Sequence, residues 1–310
     1  MGGSGGSGWI KPSDIAREVR DAEREVQNAG FQINLGELMG QLLTRFNDRD
    51  IPLVRRRLDE ILKALENVLD DKIEQIFGGS VAKHTYVDGL SDIDCLLIVN
   101  GTDLEKAGPR AALNSVEKIL GDMLKGSAEV SAGQMAVTVK YGDGMEIQLL
   151  PAVKSGDKLK IQSSRDATRW SAVDPAKFQA GLTKYNAQCD GKLVPTIKLA
   201  KAIIGQLPDA HQLSGYHIES LAIDVFKGYT GTKTVAAMLP VFFEQAKDRV
   251  LRPITDSTGQ SVHVDEYMGA SDSAERKNAS HILGRIAKRM VNATAAGSLP
   301  QWRDLFGDEE

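Results

Sequence analysis

Gly78-Gly79-Ser80 and, with Asp92 twelve residues beyond Ser80, Ser91-Asp92-Ile93-Asp94 running into Cys95-Leu96-Leu97-Ile98-Val99 are the stretches that decide the fold. Residues 93–99 form an apolar run suited to a buried strand. Asp92 and Asp94 are separated by one residue, so on a strand they fall on the same face. Two neighbouring carboxylates repel each other unless a cation lies between them, and Mg²⁺ takes oxygen ligands together with substrate phosphates. Glycine lets backbone N–H groups approach an anion closely, and a serine hydroxyl adds a further donor. Either element alone fits an ordinary loop or a solvated strand start. Together, at this distance, they read as a turn and a carboxylate pair that hold Mg²⁺ against the triphosphate of a nucleotide.

Outward from this stretch the texture is mixed on one side and helical on the other. Ser13-Asp14 can cap a helix to about Asn28, with Gly30 as its stop. Asn34 can cap a second, with Leu35, Leu38, Met39, Leu42, Leu43 and Phe46 on its apolar face. A third starts at Pro52, and its stripe from Leu58 to Ile76 predicts a helix roughly 35–40 Å long. Residues 134–141 alternate as a half-buried strand does. Asp143-Gly144 marks a hairpin, and Met145 to Leu150 the return strand, ended by Pro151. Pro109 to Leu124 fits a helix. Beyond about Arg165 helical patterns dominate: Pro175 to Asn186, Pro195 to Leu207, Tyr216 to Tyr229, Lys233 to Asp248 and Ser271 to Ala295. The expected organisation is a linker over residues 1–8, an α+β lobe over 9–165 and a helical lobe over 166–310.

Composition narrows the function classes. The chain has 310 residues, long enough for one large domain or two smaller ones. With 38 basic against 42 acidic residues, a generally basic surface for duplex DNA is not expected. Cys95 and Cys189 form neither a metal-ligand spacing nor a disulfide framework. No run is apolar over a membrane-spanning length and no signal peptide is evident, so a cytoplasmic protein is expected. Met1 to Gly8 (MGGSGGSG) reads as an expression linker.

Gly79-Ser80 with Asp92-Ile93-Asp94 resembles the signature of the polymerase-β-like nucleotidyltransferases. Lys192 to Gln206 (KLVPTIKLAKAIIGQ), followed by Leu213-Ser214-Gly215-Tyr216-His217-Ile218-Glu219, resembles the helical lobe of the cyclic GMP-AMP synthase and oligoadenylate synthase group. The similarity is best to their bacterial relatives, the CD-NTases of CBASS anti-phage systems, and covers most of residues 30–305. It implies a nucleotidyltransferase lobe with a mixed sheet and a long spine helix, a C-terminal helical lobe and an active-site cleft between them. It also implies template-free condensation of NTPs, ATP among them, into a cyclic di- or trinucleotide or a short oligonucleotide, with release of pyrophosphate. Two Mg²⁺ (or Mn²⁺) ions are implied, bridged by Asp92 and Asp94. By the same resemblance Gly79 and Ser80 would bind the β/γ phosphates, Lys198 and Lys201 would supply positive charge, Ser214 would reach phosphate and Tyr216 would stack on a base. A protein activator or CBASS accessory protein is an implied partner, whereas no membrane and no strong nucleic-acid-binding signature are.

One departure from the family pattern bears on catalysis. The superfamily generally has a third carboxylate three residues before a proline, and here that place is Gln148 in Glu146-Ile147-Gln148-Leu149-Leu150-Pro151. An amide can contact Mg²⁺ but is a poor base. Glu146 lies two residues back, on the same face of a regular strand and about 6.6 Å along it. Three options stay open: Glu146 is the third ligand, the two aspartates suffice, or the enzyme is weakened to a nucleotide-binding sensor. Transfer of nucleotides to RNA or tRNA is a further alternative, disfavoured by the acidic balance and the 5% aromatic content. His217 and His281 read as structural and Cys95 as a packed core residue. Asp256 to Gln260 and Asp265-Glu266 read as a polar loop that either contacts the nucleotide cleft or merely connects.

Overall fold

A computed structural model describes residues 12–46, 51–69, 74–77, 93–156, 158–163, 166–255 and 264–308. It begins with two helices, α1 (Pro12–Phe46) and α2 (Ile51–Leu69). The sheet follows as β1 (Glu74–Phe77), β2 (Ile93–Ile98), β3 (Ala128–Ala132), β4 (Val137–Tyr141), β5 (Glu146–Ser155), β6 (Lys158–Gln162) and β7 (Trp170–Val173). Helices α3 (Asp103–Ala107) and α4 (Pro109–Met123) connect β2 to β3. The C-terminal part is helical: α5 (Pro175–Gln188), α6 (Leu193–Gly205), α7 (Gly215–Phe226), α8 (Val235–Arg249), α9 (Ala274–Ala295) and α10 (Leu299–Arg303).

The strands lie in the order β1-β2-β5-β4-β3, with β6 pairing β5 and β7 pairing β6. Only β2 and β5 run parallel; every other pair is antiparallel. The apolar run of β2 is explained by burial on both faces, as expected for a central strand. Cys95, Leu97 and Val99 pack with Ile147 and Leu149 of β5 against Leu58 and Ile61 of α2 and Leu113, Val116 and Leu120 of α4. Leu96 and Ile98 pack on the opposite face with Ala152 and Ile161. Cys95 is fully buried in this core, as its apolar surroundings in the sequence led one to expect.

Several boundaries differ from the sequence expectation, each for a physical reason. The first two helices are one: α1 passes through Gly30, where an added Cβ would meet nothing within 4 Å, so the glycine weakens the helix without ending it. Helix α2 stops at Leu69, and its 19 residues span about 28 Å. Ile76, expected on that helix, lies in β1 opposite Leu96. Strand β5 continues through Pro151 to Ser155. Pairing with β4 ends at Leu149 and pairing with β6 begins at Ala152, so Pro151 lies at the changeover, where neither of those strands asks for its missing N–H.

The helical part has its own core, and α1 contributes to it. Leu35, Leu38, Met39, Leu42 and Phe46 cluster with Phe178, Ile197, Ile203, Leu221, Phe242, Met290 and Trp302. Five of the six helices α5–α10 begin on side-chain caps: Asp174, Ser214, Thr234, Ser273 and Ser298 each accept a hydrogen bond from a backbone N–H in the first turn. Among the described residues no helix is long and apolar enough to cross a membrane.

Ile147 is fully buried between the two helices and the β4 strand. Ile147→Ala is expected to lower the unfolding free energy by about 2–5 kcal/mol in chemical denaturation. A cost below 1 kcal/mol would show that the β5 core position is not closely packed.

Candidate active site

The parallel β2/β5 pair places Asp94 directly opposite Gln148, with Ile93 opposite Ile147. Paired strands lie about 4.8 Å apart, so the Gln148 position immediately neighbours that of Asp94. On its other side Gln148 faces Thr138 of β4. Gly79, Ser80 and Asp92 lie outside the described residues. Glu146 is opposite Lys140 on β4, and the Lys140 ammonium reaches its carboxylate at 2.6 Å. The structure thus brings Gln148 beside Asp94 and holds Glu146 in a cross-strand ion pair. Among the described residues no three His, Cys, Asp or Glu side chains converge as a metal-binding group.

The strand that carries these residues is anchored through its hairpin. Backbone bonds from Gly144 N to Tyr141 O and from Tyr141 N to Met145 O close the turn, and Gly144 adopts φ +89°, which glycine allows. Arg57 of α2 donates two parallel bonds to Asp143, at 3.0 and 2.8 Å, and its guanidinium lies 3.9 Å from the centre of the Tyr141 ring. This bidentate, stacked arrangement suits arginine specifically. The bond from Arg57 holds the Asp143 carboxyl below its ordinary pKa. Burial raises the Tyr141 phenol to about 12, with a further upward contribution from Glu60. The start of β5 is therefore tied to α2 as well as to β2.

The remaining site candidates are on the helical part. Lys198 is half-buried on α6. Lys201, expected at phosphate, has its ammonium 2.8 Å from the Glu219 carboxylate of α7, with the two side chains 6% and 1% exposed. A cation this deep is stable because the carboxylate neutralises it, and the pair joins α6 to α7. A Cβ on Gly215 would lie 3.2 Å from the Lys201 Nζ, so the helix start at Gly215 fits closely over the pair. Ser214 caps α7, its Oγ accepting from His217 N at 3.3 Å. Tyr216 is half-buried with its ring 4.7 Å from that of Phe178, tilted by 59°.

Sequence reasoning missed a buried polar network beside this helix start. Arg276, wholly buried on α9, donates to Asp265 Oδ2 at 2.8 Å and to the carbonyls of Val250, Asp265, Gly269 and Ala270. Asp265 also accepts from Ile254 N at 2.9 Å, so this part of the expected polar loop is a structural tie, whereas Asp256 to Gln260 lie outside the described residues. His217 is fully buried, with Nδ1 2.9 Å from the Tyr267 hydroxyl and Nε2 4.0 Å from Asp265 Oδ2. Burial pushes its pKa down to about 4, against an upward pull from Asp265. His217 is structural, as expected, whereas His281 is exposed on α9. The only signal in the sequence was a histidine inside an apolar helix; its partners lie about 50 residues away.

Residues 43–186 match a protein-family model, SMODS, the Second Messenger Oligonucleotide or Dinucleotide Synthetase domain. Among solved structures, the chain is similar to the Bradyrhizobium diazoefficiens CD-NTase CdnG in complex with GTP, at 15% identity over 89% of this chain and 96% of that one, with a TM-score of 0.67. It is similar to E. coli MS115-1 CdnC in a complex with HORMA-deltaN, at 17% identity over 82% and 90% of the two chains, TM-score 0.58. A third similar structure is a mutant of the Vibrio cholerae di-nucleotide cyclase DncV with ATP and GTP among its ligands, at 11% identity over 96% and 92%, TM-score 0.61. No curated protein sequence matches the chain. The mixed sheet with its parallel β2/β5 pair, joined to a helical part, is the fold of these solved structures. Residues 43–186 are thus similar to the Second Messenger Oligonucleotide or Dinucleotide Synthetase domain, and the chain shares the fold of these CD-NTase structures.

Two stability measurements check this description. Glu219→Ala leaves the Lys201 ammonium buried without its carboxylate and is expected to cost about 3–5 kcal/mol, much of it recovered in Lys201→Met/Glu219→Leu. A cost under 1 kcal/mol for the single variant would place the pair in solvent. The folded-state pKa of His217 lies below its unfolded value of 6.5, so the unfolded chain binds the extra proton between about pH 6.5 and 4. Stability is therefore full above pH 6.5 and falls as the pH drops through this window. His217→Gln should flatten that part of the melting-temperature profile, and an unchanged slope would assign the acid loss to other groups.

Proposed function

We propose that the chain condenses nucleoside triphosphates, ATP among them, into a cyclic di- or trinucleotide or a short oligonucleotide for anti-phage signalling, with Asp92, Asp94 and Gln148 at the reacting centre. The observation that carries this reading is the register of Asp94 against Gln148 on the parallel pair within the SMODS domain. A ribose hydroxyl of one NTP attacks the α-phosphorus of another. The bond from that phosphorus to the bridging oxygen breaks, pyrophosphate leaves, and the hydroxyl proton passes to the aspartate pair.

The proposed donor set, the Asp92 and Asp94 carboxylates with the Gln148 amide, would be all oxygen, which suits Mg²⁺ or Mn²⁺. Two such ions, when bound, neutralise the triphosphate and lower the pKa of the attacking hydroxyl. Asp92 and Asp94 would hold them. Gln148 adds a neutral oxygen donor and no base. Glu146, already engaged by Lys140, is left outside the set. Gly79 and Ser80 would cradle the β/γ phosphates, and Lys198 and Ser214 would approach them from the helical part, with Tyr216 against a base. The complex of CdnC with HORMA-deltaN supports a protein partner for this chain as well.

Purified protein with Mg²⁺ or Mn²⁺ and mixed NTPs should release pyrophosphate and form a phosphatase-resistant product. Asp94→Ala should reduce this by about 100-fold or more, beyond the loss usual for an outer-shell partner of a metal. Glu146→Gln should stay within a few-fold of wild type, since it breaks only a partly exposed ion pair. A loss with Glu146→Gln equal to that of Asp94→Ala would return Glu146 to the metal site. Gln148 also favours a second reading, a nucleotide-binding sensor without turnover. It would hold if NTP binds and no pyrophosphate appears until Gln148→Asp is made.

A further inference from the structure

We infer that Tyr267 is a positioning residue of the nucleotide site, acting through the start of α7; this rests on the proposed role of Ser214 and Tyr216. Its hydroxyl joins two groups. The Ser214 N–H donates to the Tyr267 Oη at 3.0 Å, and the same oxygen lies 2.9 Å from His217 Nδ1. The other ring nitrogen, Nε2, is 4.0 Å from Asp265 Oδ2, so the ring lies between Tyr267 and Asp265. A neutral imidazole is what burial at this position enforces.

The far end of this chain of contacts is rigid. Asp265 is fixed by Arg276 and by the Ile254 N–H, and Tyr267 follows it within the single turn Glu266–Met268. The near end is the helix start that the proposed function places at the nucleotide. Ser214 is exposed there, with its Oγ turned to the cap and its N–H held by Tyr267. Tyr267 itself is 53% exposed, with its hydroxyl between one buried partner, His217, and one exposed partner, Ser214. Neither His217 nor Arg276 can reach solvent, and both are explained by packing alone. Tyr267 links that packed interior to the exposed residues Ser214 and Gly215. Displacing a substrate-binding element by as little as 1 Å can cost about 100-fold in rate, so a tether of this kind governs binding without touching substrate.

The test is steady-state kinetics and NTP binding in Tyr267→Phe, which removes only the hydroxyl, with melting temperature measured in parallel. KM for NTP should rise by about tenfold, with kcat within about twofold and the melting temperature within about 3 °C. KM at the wild-type value overturns the inference, whether or not the melting temperature falls. Tyr216→Ala, measured alongside, separates the two possible failures. If it too leaves KM unchanged, the nucleotide-binding reading of this helix start fails. If it raises KM while Tyr267→Phe does not, only the positioning role fails.

Discussion

The pairing of β2 with β5 is the constraint on which the rest of the molecule depends. Each strand alternates between two covered faces, so their mutual register decides which side chains share a layer. Cys95 and Leu97 on one strand and Ile147 and Leu149 on the other must all reach the α2/α4 layer. A slip by one residue would drive Gln148 and Leu150 into that layer and expel Ile147 and Leu149. Hydrophobic burial therefore sets the register that puts the Asp94 position opposite Gln148. The Arg57 clamp on the Asp143 turn fixes the same strand from its start.

The helical part solves a different problem. It has to present a few polar groups at the start of α7 while closing an apolar core behind them. It does so with buried charges that are fully partnered: Lys201 with Glu219, and Arg276 with Asp265 and four carbonyls. Unpartnered, such charges would cost several kcal/mol each. Partnered, they fix how α6, α7 and α9 meet. Lys201, one turn from Lys198, shows how a lysine read as a phosphate ligand can also join two helices through a buried carboxylate.

Long apolar periodicities were legible in the sequence. The run 93–99, the alternation toward Tyr141, the Asp143-Gly144 turn and the helices from Pro175 onward all correspond to observed elements. Strands β1, β3, β6 and β7 were not legible, being four or five residues long and, in β3, β6 and β7, only partly buried, so their pattern is weak. Gly30 and Pro151 misled for a related reason. Each is a poor fit to its element in isolation, yet neither meets a clash or an unmet hydrogen bond where it lies. In the site, the place of Gln148 beside the aspartate strand was implied by the resemblance to the nucleotidyltransferase pattern, in which a third carboxylate precedes a proline. The partners of Lys201, Glu146 and His217 were not, since pairings between separate elements leave no local periodicity.

The central claim is that the Asp94 register of β2 is a metal-nucleotide centre completed by Gln148. The most direct test is a crystal structure with Mn²⁺ and a non-hydrolysable NTP, with the metal located by anomalous scattering. The account predicts Mn²⁺ bound by Asp92 and Asp94 together with the triphosphate, Gln148 at its side and Glu146 still paired with Lys140. Mn²⁺ bound by Glu146, or a triphosphate seated away from Asp94, would contradict it.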